Sequence, residues 1–158
     1  MYRERPSAIT GATVWTRTSD GTVSDVLPDG CMDLMWLGGH LVVAGPDTAS
    51  FSSWRPAGEL LAGVRFASGV GPTIIGVPAH ALRDERVRLD DLWPADEVRR
   101  LEESVAAAAS AAQALEGLIG AHARGPATVD PLLADVVRRA RAGQRVATIA
   151  PAVGLSAR

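Results

Sequence analysis

Apolar and polar positions change rhythm twice along the chain. Up to about residue 77, short apolar runs rich in β-branched residues alternate with glycine- and proline-containing turns, the pattern of an all-β segment. Strands are predicted near residues 12–17, 22–27, 31–37, 40–44, 60–66 and 73–77. Ser19-Asp20-Gly21, Pro28-Asp29-Gly30 and Gly38-Gly39 supply turns between them, and residues 45–58 read as a longer loop. Pro78 to Asp84 predicts a short helix, and Leu89-Asp-Asp-Leu-Trp-Pro94 a tight turn.

From Asp96 to His122 the rhythm becomes helical. Val98, Leu101, Val105, Ala108, Ala112, Leu115, Ile119 and His122 recur at alternating spacings of three and four, a narrow seam of the kind that packs on a partner helix. The expectation is one long helix whose dimerisation residues are Leu101, Val105, Ala108, Ala112, Leu115 and Ile119. Packing of the same seam on the chain's own β-region is the alternative. Asp96, Glu97, Glu102 and Glu103 sit towards the helix N-terminus, where the dipole favours negative charge. Gly125-Pro126 ends this element, and a further helix is predicted from about Pro131 to Ala142, stopped by Gly143.

Residues 146–158, Val-Ala-Thr-Ile-Ala-Pro-Ala-Val-Gly-Leu-Ser-Ala-Arg, have the order of a helix-turn-helix. Ala150 is small enough for a helix crossing, Gly154 suits the turn, and Ser156 can cap a second helix. Only Ala157 and Arg158 follow, so most of a base-reading helix is expected to be missing. Ser156 and Arg158 are the candidate DNA-contacting residues, with specific binding expected only from a longer parent protein.

Composition adds less. At 158 residues with 47% hydrophobic content, the chain can bury a core. The formal net charge is −2, but residues 129–158 carry +3 and the remainder −5, as expected of an acidic sensor joined to a DNA-facing end. A solvated arginine-rich face explains the same numbers. Cys31 is the only cysteine, which rules out an internal disulfide and suits a reducing cytoplasm. The start has no apolar signal core, and the Ala-rich stretch 105–115 is too short to span a bilayer. The expected location is cytoplasmic, with no membrane partner.

Several stretches carry a family resemblance. Val26-Leu-Pro-Asp-Gly-Cys-Met-Asp-Leu-Met-Trp36, Val43-Ala-Gly-Pro46, Gly63-Val-Arg-Phe66, Gly76-Val-Pro-Ala79 and Leu89-Asp-Asp-Leu-Trp93 follow one another in order, ahead of Ile149 to Arg158. In that order they resemble one branch of the AraC-type transcriptional regulators. The resemblance implies an α+β chain with three parts. These are an incomplete cupin-like β-barrel (1–94), a connector and dimerisation helix (95–124), and a linker with the truncated start of a helix-turn-helix domain (125–158). It also implies homodimerisation and control of transcription through an unidentified small-molecule effector.

Candidate chemistry lies in the β-region. Alternation places Met32, Leu34 and Trp36 on one face of their strand and Cys31, Asp33 and Met35 on the other. Arg65 is out of phase with Val64 and Phe66. A charge embedded in an apolar strand costs several kcal/mol unless it is paired, so Asp33 and Arg65 need each other, backbone amides or a ligand. The candidate ligand-binding set is Asp33, Arg65, Trp36, Trp15 and Cys31; a structural ion pair is the alternative. Carboxylates beside Cys31 oppose thiolate formation. His40, His80 and His122 lack the spacing of a metal site, and no nucleophile elbow or phosphate loop occurs. No catalytic residue, metal or cofactor is expected. A ligand-free dimerisation module and a protein-partner-binding module remain the alternatives.

Overall fold

The computed structural model describes residues 1–122 and 129–156. The chain divides into two compact units, Met1–Ala127 and Thr128–Arg158. The first is α+β: antiparallel sheets followed by helices.

Six strands form the main sheet in the order β1-β2-β7-β4-β5-β8. They are β1 (Tyr2–Pro6), β2 (Ala12–Thr18), β4 (Met32–Leu37), β5 (His40–Ala44), β7 (Leu60–Phe66) and β8 (Arg86–Arg88). Strands β3 (Val23–Val26) and β6 (Phe51–Trp54) pair only with each other, as a separate ribbon. Among the described residues the main sheet stays open, with β1 and β8 at its edges. Gly38 and Gly39 join β4 to β5 with φ of +55° and +86°. A two-residue hairpin with a type I′ turn requires positive φ at both positions. The turns at Ser19–Gly21 and Pro28–Gly30 do not make hairpins. Each carries the chain between the main sheet and the ribbon, and β6 occupies part of the expected 45–58 loop.

Period-two alternation splits the main sheet into two faces. Val14, Val64, Leu34 and Val43 form one cross-strand row, and none is more than 3% exposed. The helices cover this face: α2 (Ala95–Ala107) packs on β5, and α3 (Ala111–His122) on β7, β2 and β4. Arg5 lies in the same row beside Val14 and reaches Glu116 of α3.

The structure corrects three expectations. Residues 73–77 are not a strand; Gly71–Ile75 form a short helix, α1, ended by Gly76 at φ +80°. Its apolar run is too short for periodicity to separate a buried strand from a buried turn of helix. The single long helix is broken: Ala108 is extended (φ −76°, ψ 144°) and exposed. Ser110 then starts α3, accepting from the Gln113 amide through its hydroxyl and from Ala114 through its carbonyl. Finally, the seam does not wait for a partner helix. Val105, Ala112, Leu115 and Ile119 are at most 8% exposed within this unit, Leu101 is half-buried, and Ala108 lies in the break. The break turns the second half of the apolar stripe onto the sheet, where burial satisfies it.

The second unit contains α4 (Pro131–Arg141) and α5 (Val146–Ala152). Asp130 caps α4, accepting from the Leu132 amide at 2.8 Å, with Pro131 in the first turn. Three arginines occupy its last turn, where the helix dipole favours them. Ile149 and Ala150 of α5 are buried, whereas Leu132 and Leu133 are 42% and 40% exposed. The Leu155 amide bonds back to Ala150 at 2.8 Å, and Gly154 takes φ +74°. Ser156 is exposed, and Arg158 lies outside the described residues. Among the described residues no helix is long and apolar enough to cross a membrane.

Candidate functional site

On the face turned away from the helices, the row Thr13, Arg65, Asp33, Ala44 and Arg86 crosses five strands. The ribbon is tied to this face: Arg17 donates to Ser24 Oγ at 2.7 Å, and the Arg86 guanidinium lies 4.1 Å from the centroid of the Phe51 ring. Register brings Asp33 and Arg65 side by side, as the out-of-phase charges required.

Asp33 is 9% exposed. Its Oδ1 accepts from the Trp15 indole at 2.6 Å, and Arg65 Nε approaches the carboxylate at 3.3 and 3.4 Å. The guanidinium also reaches Asp29 at 3.4 Å. Burial pushes the Asp33 carboxyl above the usual range, opposed by Arg65 and by the indole hydrogen bond. Arg65 is pushed up by the two aspartates against its own burial cost.

Gly63 of β7 explains how the indole reaches this position. A Cβ at Gly63 would lie 2.4 Å from Trp15 ring atoms, so only glycine lets the ring lie across the strand. Tyr2 then stacks on Trp15 with ring centroids 6.2 Å apart. Its hydroxyl donates to Glu4 at 2.7 Å, and burial together with that bond raises its pKa to about 12.

Of the expected ligand set, the structure brings Asp33, Arg65 and Trp15 together and leaves Cys31 at the margin. Trp36 is excluded. The strand's alternation places it on the helix-covered face, in register with Ala62 and Leu41. Cys31 is half-buried, and its thiol is pushed up by burial first and by Asp29 second. Asp29 serves the turn through the Cys31 amide at 2.9 Å and also faces Arg65. Tyr2 and Glu4 escape sequence reasoning because β1 has no apolar alternation and every residue in it is exposed. Arg65 is already engaged by the carboxyl groups of both Asp29 and Asp33. Hydrogen-bond donors can approach Asp29, whose side chain is 45% exposed. Among the described residues no group of three or more His, Cys, Asp or Glu side chains is placed to hold a metal ion.

Two other polar clusters join elements of this unit. Glu116 accepts from Arg5 at 2.6 and 3.3 Å, from Ser7 Oγ at 2.6 Å and from the Ala8 amide at 2.8 Å. These bonds hold its carboxyl at a pKa of about 2. Arg86 meets Asp47 through two bonds of 2.6 Å. Sequence spacing could not reveal either pair, since each joins distant elements.

Comparison with known proteins places a family model over the β-rich part. A domain of unknown function, DUF6597, matches residues 12–88, which run from β2 through β8. No curated protein and no solved structure matches the chain.

Proposed function

We propose that this chain is the regulatory part of an AraC-type transcriptional regulator. In this reading the β-rich unit is an incomplete cupin-like barrel that takes a small-molecule effector, and α4 and α5 begin the DNA-binding domain. The order of parts supports it most directly: an open antiparallel sheet, two helices packed on one face, then a separate unit of two short helices. Exposed Leu132 and Leu133 on α4 fit a helix whose apolar face is completed by further structure. The effector would dock beside Asp33, Arg65 and Trp15, on the face shared with the ribbon. Homodimerisation belongs to the same reading, through a surface other than the buried α2–α3 seam. Control of transcription asks for no catalysis, only a change in how two DNA-binding domains are presented.

One observation favours the alternative of a ligand-free dimerisation or protein-partner module. The polar atoms of Asp33 are already satisfied internally by Trp15 and Arg65. Thermal-shift screening of residues 1–158 against sugars, amines and carboxylates separates the two, because a ligand of the folded state raises its midpoint. A hit whose shift disappears in Arg65→Met supports the effector reading. A protein that answers none of these classes and sediments as a dimer supports the alternative. With DNA, residues 1–158 should bind only weakly and with steep salt dependence. Sequence-specific binding at physiological salt contradicts that expectation.

A further inference from the structure

A cleft of about 220 Å³ lies between α1, the start of α2 and the end of α3, away from the sheet face that carries Asp33 and Arg65. Thr73, Gly76, Leu92, Trp93, Glu97 and His122 are among its lining residues. At about 30 Å³ per water it holds on the order of seven waters, or one small organic molecule.

Its walls are rich in acceptors. α1 contributes its C-terminal turn, the end at which the last carbonyls lack intrahelical donors. Gly76 bonds back to Pro72, and Ile75 O receives the Trp93 indole at 2.8 Å; the carbonyls of Thr73 and Ile74 have no donor within the helix. Glu97 faces the same space with its carboxylate 34% exposed, and among the described residues it is the one lining side chain with a fixed charge. His122 Nε2 is 3.1 Å from it, while Nδ1 is 2.8 Å from the Leu118 carbonyl. The Trp93 ring is fixed by its indole bond and by stacking on His122 at 5.6 Å. An indole attracts a cation electrostatically, and carboxylate and carbonyl oxygens satisfy its N–H groups. Among the described residues an anion would be opposed by the Glu97 carboxylate and by the carbonyl end of α1, with His122 the donor nearest to it.

We propose that the cleft between α1 and α2 binds a small organic cation, a primary ammonium carried on a short carbon chain. The ammonium sits at Glu97 and the α1 carbonyls, competing with His122 for the carboxylate. The chain lies along Leu92 and Trp93. This site does not depend on the effector reading of the sheet face.

The test uses the whole chain with butylammonium as probe and butyrate and 1-butanol as controls, followed through the Trp93 indole N–H signal in NMR. Butylammonium should shift that signal saturably, with a Kd on the order of millimolar for so small a probe. The controls should leave it in place. Glu97→Gln keeps the shape and removes the charge, and should weaken binding at least tenfold. Thr73→Phe, at an exposed lining position, occupies the cleft while keeping the Glu97 carboxylate and should abolish binding even if the first variant folds poorly. Equal shifts with butyrate, a non-saturable response to butylammonium, or full binding in both variants overturns the proposal.

Discussion

Replacing Glu116 by glutamine tests whether a single carboxylate ties the start of the chain to α3. Its two oxygens accept from Arg5, Ser7 and the Ala8 amide, and its side chain is 16% exposed. The folded carboxyl has a pKa of about 2, against 4.5 ordinarily, with the Arg5 hydrogen bonds as the largest cause. At about 1.4 kcal/mol per pKa unit this sets a ceiling of roughly 3 kcal/mol. Arg5 is about half exposed, so solvent screening should leave about 1–2 kcal/mol. The sign follows from linkage. The folded pKa is depressed, so the stabilisation is complete above the unfolded value near 4.5 and is lost as pH falls towards 2. Urea unfolding of wild type and Glu116→Gln should therefore differ by about 1–2 kcal/mol at pH 6, and the difference should shrink steadily below pH 4.5. A difference below about 0.3 kcal/mol at pH 6, or one that stays constant down to pH 2.5, would falsify the assignment of this clamp.

Other substitutions probe the sheet and the seam. Gly63→Ala pushes a Cβ into the Trp15 ring at 2.4 Å; it should cost about 1–3 kcal/mol and move the Trp15 fluorescence, and an unchanged melting midpoint contradicts the packing described. Arg65→Met removes the cation beside Asp33, so the already raised Asp33 carboxyl should rise further. The stability deficit of this variant should narrow as pH falls and Asp33 protonates, which chemical denaturation across pH 4–8 checks. Ala112→Glu places a charge where the native side chain is 8% exposed against the sheet, so it should destabilise the unit by about 2 kcal/mol or more. A fully stable variant that merely changes sedimentation from dimer to monomer instead restores the intermolecular seam.

Elements governed by neighbours along the chain are legible in the amino-acid sequence. The β4–β5 hairpin follows from two glycines between alternating strands, and both adopt positive φ. Helix α4 follows from Asp130, Pro131 and Gly143, which start and stop it within a few residues. The phase of Asp33 and Arg65 in apolar strands required that they find partners, and strand register supplied them. Even the break before α3 left a local trace. Ser110 and Gln113 have the spacing of a capping box, outweighed by the unbroken three-four rhythm of the residues around it.

What tertiary structure decided has a common cause: hydrophobic rhythm reports that a face will be buried, not what will bury it. The α2–α3 stripe reads equally well as a dimer seam or as a lid on the sheet, and the break at Ala108 selects the second. Strands β3 and β6 lie far apart in sequence, and no local pattern says that they pair with each other rather than with the main sheet. β1 is an exposed edge strand made largely of charged residues, held by β2 and by Glu116 rather than by any apolar face of its own. The same limit applies to chemistry. Composition and phase determined that Asp33 and Arg65 would be partnered. Only the three-dimensional approach of β2 to β7, made possible by the missing side chain of Gly63, added Trp15 to that pair.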